Sequence, residues 1–186
     1  MNTWQQWRIE QRLRLTEQRL EFANELRVLH QVALFKKLQS VIDTLPKGVI
    51  GFYWPVRGEI DCRDFIYGLI KQGWQAALPK IIDPQQALQF HQWGPESIMQ
   101  AEVWDIPVPQ NTPVIQPDVL LIPLVGFDAN LHRLGNGGGF YDRTLDVSAK
   151  PLSIGIGFEW MLLETIQPQP HDIPMDIIVT EENIYS

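Results

Sequence analysis

The N-terminal part of the chain carries apolar side chains at roughly helical intervals, with arginine, glutamate and glutamine between them. That spacing is typical of amphipathic helices, which bury one face and expose the other. No proline occurs before Pro46, and one uninterrupted rod of this length would be unusual in a globular protein. The pattern therefore predicts two helices within residues 3–45, with a break near residues 21–24.

Short apolar or alternating runs follow, each bounded by glycine, proline or polar residues. The run at 119–125 is continuously apolar, as expected of a strand that is buried on both faces. Because strands alternate with helical patterns, we predict a mostly parallel α/β sheet with helices on both faces and a cleft at the carboxyl ends of its strands. The predicted strands are 49–54, 74–78, 87–93, 119–125, 151–158 and 177–179; the predicted helices are 61–72 and 161–166, and 95–117 is predicted to be irregular.

A glycine-rich loop follows the strand predicted at 119–125, after an intervening polar stretch. Gly135 and residues 137–139 supply four glycines in five positions, and Phe140 begins a predicted helix. Glycine lets backbone N–H groups approach an anion, and a helix start adds a partial positive charge, so phosphate is the natural ligand. Arg133 and Arg143 flank the loop, and Asp142 could hold a metal ion that bridges phosphates.

The glycine spacing alone leaves two interpretations open, a phosphate site and a flexible turn. The loop is not a Walker motif, because no Gly-Lys-Ser/Thr follows, and it lacks the third glycine of a dinucleotide-binding motif. The longer stretch GFDANLHRLGNGGGFYDRTL, residues 126–145, resembles the signature of the 5-formyltetrahydrofolate cyclo-ligase family. Other family features recur in order over nearly the whole chain.

The resemblance implies a fold, a reaction and a set of site residues. The fold is a three-layer, Rossmann-like sandwich with an N-terminal helical pair. The reaction is the ATP-dependent conversion of 5-formyltetrahydrofolate to 5,10-methenyltetrahydrofolate, with Mg²⁺ as cofactor. The implied ATP-binding residues are Arg8, Arg133, Leu134, Gly135, Asn136, Gly137, Gly138, Gly139, Phe140 and Tyr141; the catalytic residues are Arg133 and Arg143; the folate-binding residues are Trp54, Glu59 and Phe140; the metal ligands are Asp142 and Asp172.

Two departures from the family pattern favour an alternative, a non-catalytic folate- or nucleotide-binding relative. Trp4 stands where the family has a phosphate-binding lysine, although Arg12 could supply that charge. In addition, residues 104–109 lack the glycine and the glutamate of the family's Gly-Ile-x-Glu-Pro motif. A sugar-phosphate isomerase on a similar sheet is a third reading, but no carboxylate base is indicated for it.

Length, charge and cysteine content narrow the functional classes further. A chain of 186 residues predicts one domain, residues 1–186. The formal charge, 15 − 22 = −7, argues against broad contact with nucleic acid, and the single cysteine, Cys62, excludes an internal disulfide framework. Without an apolar run near 18 residues or a signal-peptide pattern, we expect a cytoplasmic monomer with no membrane partner.

Overall fold

The computed structural model describes residues 3–147 and 150–186 of the chain, and these residues form four α-helices and twelve strands. The helices are α1 (Thr3–Glu21), α2 (Asn24–Ile42), α3 (Arg63–Lys71) and α4 (Phe140–Leu145). The strands are β1 (Val49–Gly51), β2 (Gln75–Lys80), β3 (Gln89–Trp93), β4 (Met99–Ala101), β5 (Pro107–Pro109), β6 (Val119–Pro123), β7 (Gly126–Asp128), β8 (Arg133–Leu134), β9 (Leu152–Ile156), β10 (Leu162–Leu163), β11 (Ile177–Val179) and β12 (Ile184–Tyr185). Within the described ranges, an α-helix separates consecutive strands only between β1 and β2 and between β8 and β9.

Seven strands form the central sheet in the order β12-β11-β9-β6-β1-β2-β3. The five inner strands are parallel, and β3 and β12 pair antiparallel at the two edges. The chain passes from β1 to β2 on one side and later returns to place β6 on the other side of β1. The strand order therefore reverses between β1 and β6, and sheets of this kind form a ligand crevice outside the carboxyl ends of the strands at such a reversal.

The core confirms the prediction of a mixed α/β fold around a large, mostly parallel sheet. Four successive residues of β6, Val119 to Ile122, are each at most 4% exposed, so this strand is covered on both faces. The α2 helix buries Leu34, Leu38 and Ile42, which recur every four residues and pack into the main core. The predicted break between the two N-terminal helices is also confirmed, because α1 ends at Glu21 and α2 begins at Asn24.

Three segments differ from the sequence predictions. The helix predicted at 161–166 is wrong: Met161 ends a 3₁₀ turn, and Leu162 and Leu163 form β10, which pairs with β7. Residues 95–117, predicted as irregular, contain the β4–β5 hairpin. The β7–β8 hairpin between β6 and the glycine loop was not predicted at all. None of the helices in the described ranges has the length and apolar character that crossing a bilayer requires.

Candidate active site

A cleft of about 560 Å³ opens at the carboxyl ends of the strands beside the reversal of strand order. Trp54 lines it just beyond β1, Ile81 just beyond β2, and Pro123 at the end of β6. The α1 helix and the segment joining β8 to α4 supply the opposite wall. Its volume lies in the range of small-molecule sites in proteins, about 300–1,000 Å³.

The glycine loop needs its glycines for two different reasons. Gly137 and Gly139 have φ angles of +97° and +67°, in the left-handed region that other residues rarely adopt. A Cβ atom at Gly138 would lie 2.7 Å from the Phe140 ring. Gly135 faces open space, with no heavy atom within 4 Å of the position of a Cβ. The loop therefore exposes bare backbone to the cleft in a conformation that side chains would disturb.

An ion pair joins the two ends of this loop. Arg133 Nη2 lies 2.8 Å from Asp142 Oδ1, and Arg133 Nη1 donates to the backbone oxygen of Ile173 at 3.0 Å. The Ile173 N–H in turn donates to Asp142 Oδ1 at 3.1 Å. The arginine is buried, at 7% exposure, so the pair fixes the loop against the 171–176 segment while neutralising the charge locally.

A second ion pair joins Arg8 and Asp172, which the sequence places 164 residues apart. Arg8 donates through Nη1 to Asp172 Oδ1 and pairs through Nη2 with Oδ2, while its Nε donates to the Ile166 oxygen at 3.1 Å. Burial raises the pKa of Asp172, but the hydrogen bonds from Arg8 and the Gln169 N–H outweigh it and hold that pKa below its usual value. Trp4, in place of the family lysine, lies with its ring centroid 5.2 Å from the Arg8 guanidinium carbon.

Arg12 is the cleft arginine of α1 whose charge no carboxylate pairs with in the described ranges. Its Nε donates to the Gly135 oxygen at 2.7 Å, and its guanidinium carbon lies 3.4 Å from the position of a Cβ on Gly137. Burial and the neighbouring Arg8 lower the pKa of Arg12. The guanidinium therefore lies against the glycine loop, and its remaining N–H donors can bind an anion. From the sequence, Arg12 is predicted only as a substitute for the missing lysine.

The two predicted metal ligands differ in how well they suit a cation. Among the described residues, no three histidine, cysteine, aspartate or glutamate side chains come together as a metal site. Both oxygens of Asp172 accept hydrogen bonds from Arg8. Asp142 uses only Oδ1, and Oδ2 has no donor in the part of the chain that the structure describes. Mg²⁺ binds through one or two carboxylates plus phosphates and water, so Asp142 fits it and Asp172 fits only if Arg8 releases it.

A buried carboxylate, Glu59, lines the same cleft and contacts the glycine loop through the Asn136 side chain. It is 8% exposed, and its Oε2 accepts a hydrogen bond from the Val56 N–H at 3.1 Å. Burial raises the pKa of Glu59, against the hydrogen bond from Val56, the charge of Arg19 and a hydrogen bond from the Asn136 side chain. The Tyr141 hydroxyl also has a raised pKa, because of burial and the nearby Glu59.

The outer wall of the cleft is a loop with an unusual backbone. Trp104 and Asp105 have φ angles of +59° and +57°, although neither is a glycine. The Trp104 ring is 69% exposed and meets the Phe140 ring edge-on at 6.0 Å. A 2.9 Å ion pair between Lys80 and Glu102 ties the loop to β2. Val108, at the position of the missing family glutamate, is buried and apolar.

Two of the residues predicted for the site do not line the cleft. The Arg143 guanidinium donates to the backbone oxygens of Pro84, Gln86 and Gly138 at 2.8–3.1 Å, so it braces the glycine loop from behind. Leu134 is buried at 1% exposure in a small apolar cluster with Leu15. The predicted residues that do line the cleft are Arg8, Trp54, Glu59, Arg133, Gly135, Asn136, Gly137, Gly138, Gly139, Phe140, Tyr141, Asp142 and Asp172.

Comparison with known proteins shows similarity over most of the chain. A model of the 5-formyltetrahydrofolate cyclo-ligase family matches residues 4–181. The 5-formyltetrahydrofolate cyclo-ligase of Escherichia coli strain K12 is 34% identical over 137 residues, covering 69% of this chain and 75% of that protein. The protein of the same name from Haemophilus influenzae is 32% identical over 140 residues, covering 70% and 74%.

Solved structures show the same fold. The NMR structure of 5,10-methenyltetrahydrofolate synthetase from Aquifex aeolicus superposes with a TM-score of 0.81 at 24% identity, covering 95% of this chain and 91% of that one. The 5,10-methenyltetrahydrofolate synthetase of Mycoplasma pneumoniae gives a TM-score of 0.77 at 23% identity, covering 94% and 98%. At these identities the likeness speaks for the fold alone.

Proposed function

The chain belongs to the 5-formyltetrahydrofolate cyclo-ligase family, and on that premise we propose how its cleft divides the work of the family's reaction. That reaction is the ATP-dependent conversion of 5-formyltetrahydrofolate to 5,10-methenyltetrahydrofolate. One observation carries the assignment: the glycine loop and the buried Glu59 line the same cleft. A phosphate donor and a folate can therefore meet in it.

The phosphate side, which we define as residues 133–142 together with Arg12, is assigned to ATP. Its bare backbone offers N–H groups to the phosphates, and Arg12 adds a cation that forms no ion pair within the described ranges. Arg8 is assigned to holding Asp172, because its donors already serve Asp172 and backbone oxygens. Arg143 is assigned to bracing the loop, since three backbone oxygens take up its donors.

The folate side, which we define as residues 53–59 and 102–108, is assigned to 5-formyltetrahydrofolate. An ionised Glu59 accepts hydrogen bonds from the pterin amino group and a ring N–H. Trp54 and Trp104 supply aromatic walls, and Phe140 stands between the two sides, 6.0 Å from Trp104. Burial of Glu59 strengthens such bonds, because the low local dielectric weakens competition from water.

The proposed chemistry needs no protein nucleophile. The formyl oxygen attacks the γ-phosphorus of ATP, ADP leaves, and the formyl carbon becomes an iminium phosphate. N10 then attacks that carbon and loses its proton, and inorganic phosphate departs with the former formyl oxygen and takes up that proton as the methenyl bridge forms. The chain's contribution is to align the two substrates and to stabilise the negative charge of the transferring phosphoryl group with Arg12 and the loop N–H groups, while Arg133 holds Asp142 in place.

We propose Mg²⁺ as the cofactor, held by Asp142 through Oδ2 together with substrate phosphates and water. When bound, it would withdraw charge from the phosphate oxygens. Asp172 is the second candidate ligand, conditional on release from Arg8. We further propose that residues 1–186 form one domain, acting as a cytoplasmic monomer without nucleic-acid or membrane partners.

The test of the function is direct turnover of the purified chain. Mixing it with 5-formyltetrahydrofolate, ATP and Mg²⁺ should produce the absorbance band of the methenyl product, and omitting ATP should abolish that signal. A chain that binds both substrates by calorimetry but forms no methenyl product would be the non-catalytic relative that Trp4 and Val108 suggest.

A further inference from the structure

Two arginines outside the cleft donate hydrogen bonds to the backbone of the turn that precedes Glu59. Arg19, on α1, is 1% exposed; its Nε donates to the Arg57 oxygen at 2.9 Å and its Nη1 to the Leu124 oxygen at 3.1 Å. Arg27, on α2, donates through Nη1 to the Gly58 oxygen at 2.7 Å. The two helices therefore hold successive carbonyl groups of one turn.

This turn has two successive residues with positive φ angles, a conformation that is unfavourable for residues other than glycine. Arg57 and Gly58 have φ angles of +48° and +74°, and the first of them is not a glycine. A Cβ atom on Gly58 would lie 3.1 Å from Arg27 Nη1 and 3.4 Å from the Arg19 oxygen, so the turn and its two arginines are tightly packed. Glu59 is the next residue, and its N–H donates to the Val56 oxygen at 3.0 Å.

Arg19 is buried and donates to backbone oxygens, but among the described residues it has no acidic partner that offsets its charge. No carboxylate forms an ion pair with Arg19 or Arg27 in the described ranges, and Arg19 Nη2 is buried with no hydrogen-bond partner there. Burying an arginine without an acid partner opposes folding, and an apolar residue would fill the same volume at less cost. The acidic group that most affects Arg19 is Glu59, whose charge opposes the lowering of the Arg19 pKa by burial.

We propose that Arg19 and Arg27 are positioning residues for the folate substrate: they lock the Arg57–Gly58 turn so that the Glu59 carboxylate stays directed into the cleft. The proposal rests on the assignment of Glu59 to folate above. In this arrangement α1 serves both sides of the cleft, because Arg12 contacts the glycine loop and Arg19, seven residues later, contacts the turn before Glu59.

The experiment compares equilibrium binding of each substrate separately. Calorimetry would give dissociation constants for 5-formyltetrahydrofolate and for a non-hydrolysable ATP analogue with wild type, Arg27→Met and Gly58→Ala. Arg14→Met is the matched control, because Arg14 is exposed on α1 and its side chain bonds, among the residues that the structure describes, only to Gln11. We expect folate binding to weaken about tenfold in the two turn variants, the loss of one well-placed charge-assisted contact, with ATP-analogue binding unchanged.

Three further measurements keep the outcomes distinct. Arg19→Met is measured in the same way and should also weaken folate binding alone. Melting temperatures show whether each variant is folded, and if Arg19→Met is not, Arg27→Met and Gly58→Ala decide the question. Glu59→Gln supplies the reference: combined with Arg27→Met it should add little further loss of folate affinity. The inference is overturned if Arg27→Met and Gly58→Ala bind folate as tightly as Arg14→Met does, or if they weaken the binding of folate and of the ATP analogue equally. It is also overturned if the loss of folate affinity in the double variant Glu59→Gln/Arg27→Met equals the sum of the two single losses in free energy. A wild type that binds folate but makes no product would refute the proposed function and leave this test intact.

Discussion

The phosphate side of the cleft is read from one continuous stretch of sequence, whereas the folate side is assembled from separated segments. Residues 133–142 hold the glycine loop, Arg133 and Asp142, and only Arg12 comes from elsewhere. The folate side combines the residues that follow β1 with the loop that contains Trp104. It also depends on α1 and α2, whose arginines hydrogen-bond to the turn before Glu59. The difference shows why a local motif reveals a phosphate site while the acceptor pocket needs a structure.

The two sides also handle charge in opposite ways. On the phosphate side, Arg133 is paired with Asp142 and the adjoining Arg8 with Asp172, so that Arg12 is left for phosphate. On the folate side a single carboxylate, Glu59, is buried, and burial raises its pKa. Counting the arginines of a sequence motif therefore overestimates how many can bind phosphate, because the carboxylates that pair with them lie elsewhere in the sequence.

The largest effect is expected from Gly138→Val, which should impair ATP binding on the phosphate side. In Gly138→Val the new Cβ would lie 2.7 Å from the Phe140 ring, so the loop must shift and its backbone becomes less accessible to phosphate. We expect kcat/KM for ATP to fall about 100-fold or more, some 3 kcal/mol, without rescue by added Mg²⁺. Gly94→Val is the control, because a Cβ at Gly94 meets nothing within 4 Å. Equal activity of the two variants would remove the loop from the site.

The next effect separates the two arginines that lie one helical turn apart on α1. Arg12→Met should raise the dissociation constant for an ATP analogue about tenfold or more, because a charge-assisted contact is worth roughly 1.5–3 kcal/mol. Arg8→Met should instead lower the free energy of unfolding by about 1–3 kcal/mol, since it leaves the partly buried Asp172 carboxylate without its arginine partner. Denaturant titration and calorimetry on both variants measure this. Loss of ATP affinity in stably folded Arg8→Met, with Arg12→Met normal, would reverse the assignment.

A third prediction asks which carboxylate serves Mg²⁺. Asp142→Asn should raise the Mg²⁺ concentration for half-maximal turnover about tenfold, because a neutral amide is a poor ligand for a hard cation. Its folding should change little, since asparagine can still accept at Oδ1. Asp146→Asn, an exposed change at the end of α4, is the control. A Mg²⁺ curve that coincides for the two variants would exclude Asp142 as a ligand.

The smallest expected effect is a pH dependence confined to the folate side. Burial raises the pKa of Glu59, so the free protein keeps it protonated to a higher pH than an ordinary glutamate. Because the proposed acceptor is the ionised form, folate affinity should increase as pH rises through this raised pKa and then level off. In Glu59→Gln the affinity should be about tenfold weaker on the plateau, as in the turn variants, and should lose that rise. A wild-type profile identical to that of Glu59→Gln would mean that Glu59 serves the fold.

The sequence predicted those features whose causes are local. The paired N-terminal helices, β6 and the start of α4 follow from apolar spacing and glycine placement. Residues 161–166 were misassigned because Leu162 and Leu163 pair with a strand some 35 residues away, and that contact overrides helical propensity. The Arg8–Asp172 ion pair and the hydrogen bond from Arg19 to the Arg57 oxygen join segments that are far apart in sequence. A local sequence pattern could not predict that these segments lie close together in the fold.

The most direct test of the account follows the formyl oxygen. If ATP phosphorylates that oxygen in this cleft, 5-formyltetrahydrofolate labelled with ¹⁸O in the formyl group must transfer its label to inorganic phosphate during turnover. Mass spectrometry of the released phosphate should show one ¹⁸O atom for each methenyl product formed. Methenyl product accompanied by unlabelled phosphate, with the label recovered in water, would contradict direct phosphorylation and the division of the cleft into a phosphate side and a folate side.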